Sequence, residues 1–276
     1  MTSAIKTCND NGVYLSQFFR VISEKDNPDI YQVAKDSEYF IGAVHENEVE
    51  NGKQLVKMLL DKGDRNIGLI GWEQGDATWL GRWEGYKAGI EEWNKENPDD
   101  QAKLSEPQYA GTSSDGGSKA AEALMSADDT IDALIPAGGG GDPLQGAIAA
   151  VERAGKVDEI DVVSTDFLPD LGERLENGSM AGESGGQFCG PLYAFLMVYN
   201  AIKGNYTDIA GNFVDVEFPY LYVSSPEDYE AYEKYFVDQL PYTNEEIVEI
   251  SEMSLEDMIA KAQSLSIEDA AARAGK

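Results

Sequence analysis

Residues 66–94 read NIGLIGWEQGDATWLGRWEGYKAGIEEWN, and the fold class turns on this stretch. Its opening, Ile67 to Gly71, is a short apolar run bounded by glycine and polar residues. That is the pattern of a strand buried on both faces of a parallel sheet. Trp72 to Ala77 (WEQGDA) then sets Gly and Asp where a turn needs them. From Thr78 onward Leu80, Trp83, Tyr86 and Ile90, with Trp93, recur at helical spacing. The stretch is a strand, a loop and an amphipathic helix. In open α/β sheets ligands bind outside the carboxyl ends of the strands, so Trp72 to Arg82 is where this unit presents chemistry. It presents two indoles, Trp72 and Trp79, the carboxylate of Asp76 and the guanidinium of Arg82.

Working outward toward the amino end, residues 1–12 read as the end of a helix stopped near Asn11 and Gly12. Val13 to Phe19 predicts a strand, Ile30 to Ser37 a short helix or turn, and Tyr39 to Val44 a second strand. Val49, Leu55, Val56, Leu59 and Leu60 predict a helix over Asn47 to Lys62, stopped by Gly63. On the other side come a weak strand (Pro107–Gly111), a helix (Gly117–Ser126) and a strand (Ile131–Ala137). Glycines 138 to 141 follow, then a helix over Pro143–Ala154 with Asp142 as its cap. The next strand, Ile160–Thr165, ends on Asp166; a helix (Leu168–Glu176), a short strand (Ser179–Glu183) and an apolar helix (Pro191–Lys203) complete the series. This alternation predicts βαβ units around a parallel sheet. Phe213 to Val223 is strand-like but contains Pro219, so it reads as an edge or a crossover. Pro226–Tyr235 and Glu245–Gln263 have helical periodicity, and the residues to Lys276 form an Ala-rich helix or a frayed tail.

Composition narrows the partners. With 51 acidic residues against 21 basic the net charge is -30, which repels phosphate backbones and excludes nucleic acid. No apolar run is long enough to span a bilayer. Cys8 and Cys189 lie far apart in no metal spacing, so neither a disulfide framework nor a metal site is indicated. The opening MTSAIKTCND has no apolar segment of the kind a secretory signal carries.

Several motifs offer competing chemistry. The glycine run follows a strand and precedes a helix, yet no Lys-Ser or Lys-Thr pair and no GxGxxG spacing accompany it. Close approach of backbone to a ligand explains it better than nucleotide binding, and no cofactor is expected. His45, beside Glu46 and Glu48, lacks metal partners and reads as a solvated side chain. Gly182-Glu183-Ser184-Gly185-Gly186 matches G-x-S-x-G literally, but no histidine follows it, which argues against a hydrolase. Asp166 either accepts hydrogen bonds from paired hydroxyls or caps a helix beginning at Leu168. Arg82 either serves the site or pairs with Glu73 or Glu84 on the surface.

From about Tyr39 to Val223 the chain resembles the type I periplasmic binding proteins, which include ribose- and galactose-binding proteins and the effector domains of lac-repressor-type regulators. The blocks that carry the likeness are NEVENGKQLVKMLL (47–60), NIGLIGWEQGDATWLGRWEGYKAGI (66–90), DALIPAGGGGDPLQGAIAAVERAGK (132–156) and IDVVSTDFLPDLGERLENGSMAG (160–182), with the helix after GGQFCG. The resemblance implies two α/β lobes that close on a small polar solute, with crossings near Glu46, Gly186 and Phe218. It implies a partial first lobe over 1–46, a second lobe over 47–185, a return to the first lobe over 186–218, and a crossover with an acidic helical tail over 219–276. The family's first lobe opens with further βα units, so the first lobe here is expected to be incomplete.

Residue by residue, RWEGY places Arg82 at the family's ligand-binding arginine in R-x-E-G-[FY], and VVSTD places Asp166 at the aspartate that grips sugar hydroxyls. Gln187 or its neighbour Gly186 stands where the family often has a hinge Gln or Asn. Gly140, Gly141 and Asp142 stand where sugar binders usually have Asn or Asp, so a polar contact is absent or moved to Asp142. Trp72 and Trp79 suit stacking on a sugar face by their own chemistry. The resemblance thus implies a non-enzymatic solute-binding protein of an ABC importer, taking a sugar or related polyol. Its partner would be the transporter permease, and it would act as a monomer. Full-length members are exported and often lipid-anchored, which implies an extracytoplasmic location. The alternative is the sensing domain of a regulator or sensor.

Overall fold

A computed structural model of the chain describes residues 1–138, 143–186, 189–206 and 213–275. In chain order the elements begin α1 (Thr2–Asp10), β1 (Leu15–Phe18), α2 (Pro28–Lys35), β2 (Phe40–Glu46), α3 (Glu48–Lys62), β3 (Asn66–Gly71) and α4 (Ala77–Glu96). There follow β4 (Lys103–Leu104), β5 (Gln108–Tyr109), α5 (Ser114–Ala127), β6 (Ala133–Pro136), α6 (Pro143–Ala154), β7 (Asp161–Thr165), α7 (Leu171–Asn177), β8 (Gly182–Gly185) and α8 (Gly190–Lys203). The chain ends with β9 (Val214–Phe218), β10 (Leu221–Val223), α9 (Pro226–Tyr232), a turn of π-helix (Glu233–Val237), α10 (Asn244–Glu252), α11 (Leu255–Gln263) and α12 (Ile267–Ala274).

These elements form two units: Met1–Asn47 with Gln187–Tyr220 and Tyr235–Lys276, and Glu48–Gly186 with Leu221–Lys234. The second unit holds a sheet in the order β10-β8-β7-β6-β3-β4, with β5 also on β3. Strands β3, β6, β7 and β8 run parallel. Their apolar runs feed both faces, as the sequence pattern requires. Leu69 and Val163 join a core with Leu55, Leu59 and Trp79 of α3 and α4, while Gly68 faces Leu134 and Leu124 of α5. Alternate residues thus serve opposite layers.

In the first unit β1, β2 and β9 form a parallel sheet. Ile5, Ile22, Ala34 and Phe40 make its core, with Tyr31 and Phe213 against them. Here His45 departs from its solvated reading. It is buried, and its Nε2 lies 2.9 Å from Asp215 Oδ1. The pairing raises its pKa against the opposing effect of burial, which is the largest single influence.

Two further expectations change. The strand-like stretch around Pro219 is two strands that serve different sheets: β9 pairs parallel with β2, whereas β10 pairs antiparallel with β8. A residue without an amide hydrogen sits where the chain leaves one ladder and enters the other. The helix read over Glu245–Gln263 is interrupted at Met253, because Ser254 turns its side chain to cap α11 at the Asp257 amide. Beyond it the chain does not fray. Ser266 caps α12, and Arg273 bonds Glu246 at 2.7 Å and Asp269 at 2.8 Å.

Candidate functional site

The carboxyl ends of β3, β6, β7 and β8 lie along one edge of the second unit's sheet, because these strands are parallel and in register. Trp72 follows β3, Gly138 follows β6 and Asp166 follows β7. The edge is cross-braced. Ser164 Oγ donates to the carbonyls of Pro136 (2.7 Å) and Gly138 (3.0 Å). Ser184 Oγ and Asn51 Nδ2 both donate to Thr165 Oγ1, each at 3.0 Å. A buried polar chain of this kind holds its members in one geometry when its donors meet acceptors.

Arg82 reaches this edge through the packing of α3 on α4. The two helices touch backbone to backbone, since a Cβ on Gly52 would meet Arg82 O at 2.2 Å and one on Gly85 would meet Val49 O at 2.0 Å. Only glycines permit that approach. It brings Arg82, 3% exposed, against the start of α3, where Nε donates to Glu48 Oε2 at 2.7 Å. Its partner is therefore Glu48 rather than Glu73 or Glu84. The guanidinium also lies over the Trp72 ring, 5.4 Å from the centroid. Asp166 is tied to the same helix by its neighbour, because Thr165 accepts from Asn51. Glu48 and Asn51 lie about 4.5 Å apart along the axis, one turn of helix. The structure thus connects Arg82 and Asp166 to a single turn of α3.

Asp166 has φ +76°, a left-handed conformation rare outside glycine. Its amide donates to Ser184 O at 2.7 Å, and its side chain is half-buried. It does not cap the following helix. That helix begins later, at Leu171, and the Leu168 amide donates instead to Glu183 Oε2 at 2.7 Å. Strained backbone of this type persists where the surroundings over-determine it, and such positions cluster at binding sites.

Other sequence candidates are placed elsewhere. Trp79 is fully buried, edge-on to Tyr86 at 5.8 Å and packed against Gly71, so its ring belongs to the core and is closed to solute. Asp76 caps α4, accepting from the Trp79 amide at 2.9 Å, which employs one of its oxygens in holding the helix. Trp72 is half-buried beside Arg82. Gly140, Asp142 and Gln187 lie outside the described residues. Ser184 is buried within β8 and serves the brace, with no elbow around it. Sequence reasoning missed Glu48 and Asn51, whose roles depend on helix packing, and Glu183, which sat unremarked inside the motif read for its serine. Among the described residues no group of His, Cys, Asp and Glu could hold a metal ion.

Residues 1–204 match the model of the periplasmic binding protein domain family. The chain belongs to that family. Its members are substrate-binding carriers rather than enzymes, and the family implies an extracytoplasmic location. None of the curated proteins compared matches the sequence. Among solved structures, an ABC transporter solute-binding protein from Bacillus halodurans C-125 with bound myo-inositol is 22% identical, with TM-score 0.60 over 84% of this chain and 73% of its own. One from Agrobacterium vitis bound with α-D-tagatopyranose is 13% identical, with TM-score 0.63 over 82% and 72%. A periplasmic one from Actinobacillus succinogenes 130z with bound D-allose is 16% identical, with TM-score 0.62 over 83% and 74%. At these identities the likeness is one of fold. No described helix is long and apolar enough to cross a membrane.

Proposed function

We propose that this periplasmic binding protein family member is the solute-binding component of an ABC importer and takes a neutral sugar or polyol at the carboxyl edge of its second unit. One observation carries the reading: a non-glycine residue, Asp166, held in left-handed backbone at the end of a buried strand, in a chain whose family binds solutes. A carboxylate there accepts from two vicinal hydroxyls. Arg82 supplies donors from α4, and the indole of Trp72 offers an apolar ring to the C–H face of a pyranose or inositol. The solved structures of this fold carry myo-inositol, tagatose and allose, which share rigid rings and adjacent hydroxyls. The partner is the importer's permease, and the carrier acts as a monomer.

Calorimetric titration with D-allose, myo-inositol and D-tagatose tests this. Asp166→Asn keeps the side-chain shape and tolerates the left-handed backbone while removing the charge. Losing charge-assisted bonds of about 1.5–3 kcal/mol weakens binding by roughly 10- to 100-fold. Undiminished affinity in the variant for whichever sugar binds the parent would remove Asp166 from the site.

A further inference from the structure

The Asp166 turn lies along β8 residue by residue. The Asp166 amide donates to Ser184 O, the Phe167 ring lies so close over Gly185 that a Cβ there would sit 2.8 Å from it, and the Leu168 amide donates to Glu183 Oε2 at 2.7 Å. The segment that reads as G-x-S-x-G is thus a template for this turn. Within it Glu183 is fully buried, and its Oε1 has no hydrogen-bond partner among the described residues.

The groups around Glu183 favour its neutral form. Asp166 and Asp170 raise its pKa, while Arg174, which bonds Asp170 at 2.9 Å, lowers it. The adjacent strands place uncharged Ser164 and Val223 beside it. Tyr229 and Tyr232 of α9, which packs on α7, are themselves held neutral by burial. Burial, the largest influence, pushes Glu183 up to about 8. An ionised Glu183 would bind the Leu168 amide more strongly. It would also stand as a desolvated charge beside two other carboxylates, and the upward shift shows that desolvation and repulsion outweigh the single bond.

We propose that Glu183 is a positioning residue for the solute site: its buried carboxyl, by holding the Leu168 amide, keeps the turn after β7 in the conformation that presents Asp166 at the sheet edge. This deepens the solute-site reading and rests on it. The turn is firmest below pH 4.5 and loosens as pH rises from there through about 8, because the closed turn keeps a proton that an opened Glu183 would release near 4.5, so solute affinity falls in the same range.

Hydrogen exchange at the Asp166 and Leu168 amides reads the turn without any ligand, and titration with D-allose, myo-inositol and D-tagatose reads the site. In the parent, protection at both amides falls at least tenfold between pH 6 and pH 9.5, and affinity for the tightest of the three sugars falls with it. Glu183→Gln retains the acceptor and cannot ionise, so its protection and affinity stay level across that range. Glu183→Leu loses protection at every pH; should it fail to fold, the contrast between parent and Glu183→Gln carries the test. Parent protection that ignores pH, or a Glu183→Gln profile that tracks the parent, overturns the proposal. Exchange that behaves as stated, with sugar affinity indifferent to both Glu183 and Asp166, overturns the solute-site reading instead.

Discussion

At the amino edge of the second unit's sheet, Asp132 accepts the backbone amides of Arg65 and Asn66, each at 2.8 Å, and Asp128 accepts from Asn66 Nδ2 and from the Thr130 amide. At the carboxyl edge Asp166 is half-buried, its backbone is left-handed, and the turn is held through the Asp166 and Leu168 amides, which donate to Ser184 O and Glu183 Oε2. Both edges are rich in acid and belong to the same sheet. One consumes its carboxylates in tying strand starts together, which lowers the Asp128 pKa chiefly through the Thr130 and Asn66 bonds. The other holds Asp166 in left-handed backbone beside Thr165, which is braced by Asn51 and Ser184. Carboxylates satisfied by backbone donors contribute stability, whereas a residue held in left-handed backbone at a strand end is where the proposed solute contact falls.

The contrast is open to experiment. The largest effect is expected for Asp132→Ala, which leaves two amides without their acceptor. Unfolding in urea should show a loss of about 2–4 kcal/mol, with affinity for a bound sugar unchanged; an equal loss of affinity would mean that the edges are not separable. Asp64 gives a smaller, pH-dependent effect. Burial, then the charges of Asp161 and Asp132, push its pKa up to about 8. The folded chain therefore keeps a proton that the unfolded chain releases near 4, so this group's contribution is complete below pH 4 and is lost as pH rises from 4 through 8. Asp64→Asn should be the more stable form at pH 8.5 by at least about 1 kcal/mol, measured by thermal unfolding across pH. A parallel pH profile for parent and variant would refute that. The smallest change in stability is expected at the carboxyl edge. Asp166→Gly relieves the left-handed backbone and should raise stability by about 0.5–1 kcal/mol while sugar affinity falls. A variant that is both less stable and unaltered in binding would reverse the assignment of the two edges.

Much of this architecture is legible in the residue order. The apolar run Ile67–Gly71 and the helical spacing after Thr78 are local patterns, and local patterns survive without knowledge of neighbours. The two indoles show where such reading stops. Trp72 and Trp79 are alike in sequence, yet the first lies beside Arg82 while the second fills the core behind Gly71. Their difference arises because Trp72 lies in the loop after β3, whereas Trp79 lies in the first turn of α4, whose packing buries it. Likewise GESGG matches a nucleophile pattern at Ser184, yet it is Glu183 beside it that accepts from the Leu168 amide. Successive strand residues face opposite ways, and only the packed sheet shows which face meets the loop.

By itself the sequence determined the alternating βα order, with Asp166 directly after one strand and Arg82 in the helix that follows another, because periodicity and turn composition are encoded over a few residues. Tertiary structure alone decided that Gly52 and Gly85 let α3 and α4 touch, that Glu48 receives Arg82, and that β8 holds Asp166 in a strained turn. These are contacts between segments distant in the chain, and no short window of residues specifies them.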